Sequence, residues 1–183
     1  MKQIFFATEN KYKLSFANQL TNKHGWECLP CNINMIEPQS WTLEEISNYK
    51  VKQAFEQIQK PVVAMDTGIF ITALNGFPGI YTHDIVKTLE QKFFQKLMLY
   101  ETDKTATIKQ VVSYYDGNIL KTFSSEYDGM IVSKEEMKDF WSYDGFFMPD
   151  NYNKLMGEMT EDEKTNMWGN AWNELCKFLN NTK

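Results

Sequence analysis

Residues 61–82 read PVVAMDTGIFITALNGFPGIYT, and how this stretch is read decides the fold. Val62 to Asp66 is apolar and rich in β-branched residues without alternation, which predicts a strand covered on both faces, as in a parallel sheet. Asp66 closes the run, Thr67-Gly68 follows, and the turn signals of Asn75 to Gly79 precede a helix from about Tyr81 to Tyr100, with Glu90 as the place for a break. A carboxylate at the carboxyl end of a buried strand lies where open α/β sheets bind ligands, and its burial is costly unless it is hydrogen-bonded or holds a cation. An aspartate also opens turns. The stretch alone leaves both readings standing.

Towards the amino terminus, Lys2 to Ala7 is a short strand, Thr8-Glu9-Asn10 interrupts it, and Lys13 to Leu20 has helical period. The segment ATENKYK, residues 7–13, therefore stands at a strand-to-helix junction. Free N–H groups, a hydroxyl, an amide and Lys13 one turn inside suit a phosphate, whereas Thr8 or Asn10 equally serves as a helix cap. Cys31 to Ile36 is read as a strand fragment followed by a loop. Thr42-Leu43-Glu44-Glu45 fits a capping box, and Ile46, Val51, Ala54, Phe55 and Ile58 follow it at helical spacing before Pro61.

Towards the carboxyl terminus, Thr105 to Tyr115 and Ile119 to Tyr127 flank Asp116-Gly117, the dipeptide of a tight hairpin. A further strand is expected near Gly129 to Ser133, then the aromatic stretch FWSYDGFFMPDNY, with Phe146 and Phe147 as core. Thr160 to Glu163 is a second capping box opening a final helix through Leu179. Helices alternate with strands early and a hairpin comes late, so the expected fold is α/β with a mixed sheet and flanking helices, one domain over residues 1–183.

Composition narrows the function. The 183 residues carry a formal net charge of −5 and a pI near 5.1, which argues against a broad basic face for a nucleic acid polymer. A polyanionic ligand must then be bound locally, with a metal ion's help. No segment reaches about 18 consecutive apolar residues, and the apolar part of the opening MKQIFFATENKYK is too short for a signal sequence, so a cytoplasmic protein is expected. Cys28 and Cys31 form a CLPC pair that invites a zinc or redox reading. With His24 and His83 as the available histidines, the thiols are read as ordinary reduced side chains.

Four pieces in order resemble one family: ATENKYK, EEISNYK, MDTGIFITALNGFPGIY and YDGFFMPDNYNKLMGEMTEDEK. They are similar to the noncanonical purine nucleoside triphosphate pyrophosphatases, the Ham1-like inosine/xanthosine triphosphatase group. The resemblance implies an elongated mixed sheet in two lobes around a nucleotide cleft, a homodimer, and release of pyrophosphate and a nucleoside monophosphate with magnesium. It makes Asp66 the general base or metal-linked carboxylate. Thr8, Asn10, Lys13 and Thr67 would hold phosphates, and Lys50 would neutralise charge. Trp141, Tyr143, Asp144, Lys164 and Asn170 complete the substrate set. Glu37 is the second magnesium ligand, with Glu45 as the fallback.

Several residues depart from the pattern that the resemblance supplies. Met65 replaces the first of two consecutive acids, Phe16 replaces a glutamate, and Trp168-Gly169-Asn170 stands where relatives carry a Ser-His-Arg base reader. The expected consequences are weaker metal binding or slower turnover and an altered base preference. Asparagine offers a donor and an acceptor together, the pattern that complements adenine. The alternatives are a nucleotide-binding or regulatory module with little or no turnover, and a phosphatase or pyrimidine-directed pyrophosphatase.

Overall fold

The apolar run at 62 does form a strand, and a longer one than its sequence announces: it continues through Asp66, Thr67 and Gly68 to Ile71. In the computed structural model, which describes residues 1–36, 38–133, 136–138 and 142–182, with the backbone alone at 90–92 and 95, the strands are β1 (Lys2–Phe6), β2 (Trp26–Pro30), β3 (Val62–Ile71), β4 (Pro78–Gly79), β5 (Thr105–Tyr115), β6 (Leu120–Ile131) and β7 (Phe147–Pro149). The helices are α1 (Lys11–Thr21), α2 (Leu43–Ile58), α3 (Thr82–Leu97) and α4 (Glu161–Asn181).

The strands form one sheet in the order β2-β1-β3-β5-β6-β7, with β4 on β3. The β2-β1-β3 part is parallel, and β3–β4 and β6–β7 are antiparallel, so the sheet is mixed as expected. Gly68 is fixed by the β3–β4 approach, because a Cβ there would lie 2.3 Å from the Gly79 carbonyl oxygen. The hairpin after β5 also forms: Asp116 Oδ1 accepts the Asn118 and Ile119 N–H groups at 2.9 and 2.8 Å. Across it, Ser113 pairs with Thr122, Lys109 with Glu126 and Thr107 with Asp128, the antiparallel register in which one number falls as the other rises.

The chain packs as two compact units. The first comprises Met1–Asp66, Gln110–Ser125 and Thr165–Lys183. Within it Val51 and Ala54 of α2 pack with Ala7, Cys31, Val62 and Ala64. On α4, Trp172 meets Phe6 edge-on at 5.3 Å, and Phe178 meets Tyr114 at 5.5 Å. The second unit comprises Thr67–Lys109 and Glu126–Lys164. Its core includes the fully buried Phe146 and Phe147, and Phe94 of α3 stacks on Phe146 at 4.9 Å.

Three expectations are corrected. The second strand is Trp26–Pro30, not Cys31–Ile36: Gly25, at φ +81°, ends a 3₁₀ turn, and β2 then pairs with β1 from Lys2–Trp26 to Phe6–Pro30. Burial does alternate over 31–36, with Cys31, Ile33 and Met35 turned inward. The Cys31 N–H still donates to the Phe6 carbonyl of β1 at 3.1 Å, but beyond it the main chain meets glutamines of α2: Gln53 Nε2 donates to the Ile36 carbonyl at 2.6 Å, Gln53 Oε1 accepts the Ile36 N–H at 3.0 Å, and Gln57 Nε2 donates to the Asn34 carbonyl at 3.1 Å. Next, the separate strand at Gly129 is the end of β6, which runs unbroken to Ile131 because β7 pairs with Gly129, Met130 and Ile131. Finally, α3 has no break at Glu90 and stops at Leu97, where the Met98 N–H donates to the Phe94 carbonyl at 2.9 Å.

Candidate active site

Asp66 lies in the middle of β3, not at its carboxyl end, because β3 extends to Ile71. It is 8% exposed, and Lys50, from the inner face of α2, is 7% exposed. The Lys50 ammonium stands 2.5 Å from Asp66 Oδ1. Asp66 Oδ2 is also buried and has no hydrogen-bond partner among the described residues. A carboxylate so placed costs free energy unless a further donor or a cation meets the second oxygen. Lys13 joins them from α1, its Nζ donating to the carbonyl of Met65 at a long 3.4 Å. The first unit thus gathers two ammonium groups and one carboxylate on a rigid strand and two helices.

The entrance to α1 uses its side chains as caps. Asn10 Oδ1 accepts the Tyr12 and Lys13 N–H groups at 2.9 and 3.2 Å, and Thr8 Oγ1 accepts the Asn10 N–H at 3.1 Å. The positive end of a helix points out of this turn, which suits an anion as well as a cap. Phe16, 5% exposed, meets Trp168 edge-on at 6.4 Å and lies near-parallel to Tyr12 at 6.5 Å. Asn170 follows on α4 and is exposed.

In the second unit, Tyr143 and Asp144 belong to the 3₁₀ turn Ser142–Gly145. The buried Lys164 places Nζ 3.7 Å from Asp144 Oδ2. Burial raises Asp144 above the usual carboxylate range, and the Lys164 charge pulls it back in part. Lys164 is set by the capping box at the start of α4: Thr160 N–H donates to Glu163 Oε2 at 2.7 Å, and Glu163 N–H to Thr160 Oγ1 at 3.3 Å. Thr67 presents a buried hydroxyl with no partner among the described residues. Glu37 and Trp141 lie outside the described residues. The fallback ligand Glu45 is exposed, and its carboxylate accepts the Ser40 hydroxyl.

Sequence reasoning passed over Ser47. It lies fully buried in the stripe Leu43, Ile46, Ser47, Lys50, Val51, Ala54, and two polar residues three apart inside an apolar stripe were the available signal. The cysteines are free and buried, and burial pushes Cys28 and Cys31 up to about 11. Among the described residues no helix is long and apolar enough to cross a membrane.

A family model described as the Ham1 family matches residues 4–178. The chain is 32% identical over 178 residues to a dITP/XTP pyrophosphatase of Hyperthermus butylicus, covering 96% of this chain and 94% of the relative. It is 30% identical over 179 residues to one of Thermococcus kodakarensis, covering 97% of each. Among solved structures, the Ham1 protein of Staphylococcus aureus superposes with a TM-score of 0.85 over 100% of both chains at 24% identity. A HAM1 protein from Coxiella burnetii superposes at 0.86 over 98% and 99% at 21% identity. These two share the mixed α/β fold. Family model and relatives alike span almost every element that carries a site residue, and the chain belongs to the Ham1 family.

Proposed function

We propose that this protein is a nucleoside triphosphate pyrophosphohydrolase that cleaves a triphosphate with a noncanonical or modified base to the monophosphate and pyrophosphate, using magnesium. The observation that carries this reading is the buried Lys50–Asp66 pair with one carboxylate oxygen left over. Asp66 Oδ2 fits a magnesium ion or the attacking water. A magnesium ion takes one or two carboxylates and completes its shell with water and substrate phosphates. Asp66, with Glu37, would hold that ion, which when bound neutralises charge on the triphosphate.

In this reading Asp66 takes the proton of the water that attacks the α-phosphorus, while Lys50 holds its other oxygen and fixes its orientation. Lys13 and the α1 N-terminus, with Thr8 and Asn10, meet phosphate oxygens as the bond to the departing pyrophosphate breaks and charge builds there. Thr67, Trp141, Tyr143, Asp144 and Lys164 enter through the resemblance alone. Altered base selection is supported by Trp168, buried against Phe16, and Asn170, which leaves an exposed amide where relatives carry an arginine. A cytoplasmic homodimer is part of the same proposal, and light scattering tests the dimer.

The test is a panel of common and modified nucleoside triphosphates with magnesium, assayed for pyrophosphate. Release with at least one nucleotide, absent in chelator, is expected; no release with any nucleotide overturns the proposal. The aromatic packing of Phe16, where a carboxylate would strengthen a metal site, favours one second reading, a nucleotide-binding module. Tight magnesium-independent binding in calorimetry without hydrolysis would select it.

A further inference from the structure

Just before Lys50, α2 is tied to the sheet at two successive residues. Ser47 Oγ donates to the carbonyl of Ala64 on β3 at 3.3 Å. Thr122 Oγ1 on β6 donates to Asn48 Oδ1 at 2.7 Å. Since β5 lies between β3 and β6, these ties reach across three strands of the first unit. Ser113 Oγ of β5 lies 3.4 Å from Thr122 Oγ1 and joins the middle strand to the same link.

The spacing gives the ties a consequence at Asp66. Ser47 and Lys50 are three residues apart on one helix face, a rise of about 4.5 Å. Ala64 and Asp66 are two residues apart on β3, about 6.6 Å. Ser47 on Ala64 and Lys50 on Asp66 are therefore a two-point match between α2 and β3, and a helix so matched cannot slide along the strand without losing both. The Asn48 tie to β6 adds a third point off that line and removes rotation about it. Lysine has a flexible four-carbon stem, so its ammonium holds one carboxylate oxygen only when its backbone is held as well.

We propose that Ser47 and Asn48 are positioning residues: by registering α2 on β3 and β6 they place the Lys50 ammonium on Asp66 Oδ1 and keep Oδ2 for the reacting group. This rests on the pyrophosphohydrolase reading given above.

The test uses Thr122→Val, which removes the donor to Asn48 at nearly constant shape, and Ser47→Ala. In the full chain each is expected to lower kcat about 3- to 30-fold with KM within about twofold, the pattern of lost transition-state geometry. Thr122→Ser, which restores the hydroxyl, is expected within about twofold of the parent. In a Lys50→Gln background Thr122→Val is expected to cost nothing further, whereas the same factor in both backgrounds means a role independent of Lys50 and overturns the proposal. If Ser47→Ala fails to fold, the partly exposed Thr122 carries the test. One readout does not depend on catalysis: in crystals of Thr122→Val the Lys50–Asp66 separation should exceed about 3.5 Å. A retained 2.5 Å contact overturns the positioning role even if the parent hydrolyses nucleotides. Absence of hydrolysis in the parent overturns the functional reading alone, and this distance then decides the positioning.

Discussion

Asp66 uses its two carboxylate oxygens differently: Oδ1 takes the Lys50 ammonium at 2.5 Å, and Oδ2, also buried, meets no partner among the described residues. Replacing Asp66 with asparagine keeps the shape and removes the base. Turnover is expected to fall at least about 100-fold, in the range for a lost general base, with nucleotide affinity within about fivefold. Single-turnover hydrolysis and calorimetry on the same variant check this, and unchanged turnover removes Asp66 from the chemistry.

The same pair predicts an asymmetry in stability. Lys50→Met leaves Asp66 buried without its counter-charge and is expected to cost about 3–5 kcal/mol, whereas Lys50→Met with Asp66→Leu removes both charges and recovers most of it. Urea denaturation of the three chains decides. Equal losses in the single and double variants would mean that packing, not charge, governs this site.

Asp144 carries a pH prediction. Burial raises its native value, Lys164 opposing. A carboxyl that binds its proton more tightly when folded favours the folded state below its unfolded value, and that contribution is lost as pH rises through the native value. The stability of the parent relative to Asp144→Asn should therefore decline from the most acidic accessible pH towards neutrality. Urea midpoints measured across that window test it, and a flat difference contradicts the raised value.

Gly117 predicts a turn defect. Its φ is +97°, and a Cβ there would come 2.5 Å from Phe55 Cζ, the ring that packs on Tyr115. Gly117→Ala adds left-handed backbone strain to overpacking and should cost about 2–4 kcal/mol. Chemical denaturation of the variant reads this directly, and a loss below about 1 kcal/mol would show that Phe55 moves aside freely.

Gln110 predicts a gain. Its side chain is fully buried, and neither Oε1 nor Nε2 has a partner among the described residues. An unsatisfied buried group costs about 1–3 kcal/mol, so Gln110→Met, similar in shape and apolar, should raise stability by roughly 1 kcal/mol. A lower urea midpoint instead would identify the amide as hydrogen-bonded in solution.

What the sequence revealed followed the reach of its signals. The hairpin at Asp116-Gly117 and the box at Thr160 to Glu163 are completed within a few residues, and both formed as read. The box at Thr42 formed by half: Thr42 Oγ1 accepts the Glu45 N–H at 3.2 Å, but the Glu45 carboxylate takes Ser40 instead of the Thr42 N–H. The second strand lies at Trp26–Pro30 and not at Cys31–Ile36 because its place is set by pairing with β1, and a stretch with two prolines and no clean period carries no local mark of that partner. At the site, Lys13, Lys50 and Asp66 were named from motifs, but no local pattern states that a lysine of α2 will close on one oxygen of a strand aspartate. That depends on how α2 is set on the sheet, which distant residues decide.

The double grip of Gln53 on Ile36, one donor and one acceptor on the main chain of a single residue, holds backbone and ignores the side chain, which is 72% exposed. Such an anchor is blind to sequence. Outward positions of the segment, Asn32, Asn34 and Ile36, point away from these bonds, so exchanging their side chains leaves the mount itself in place.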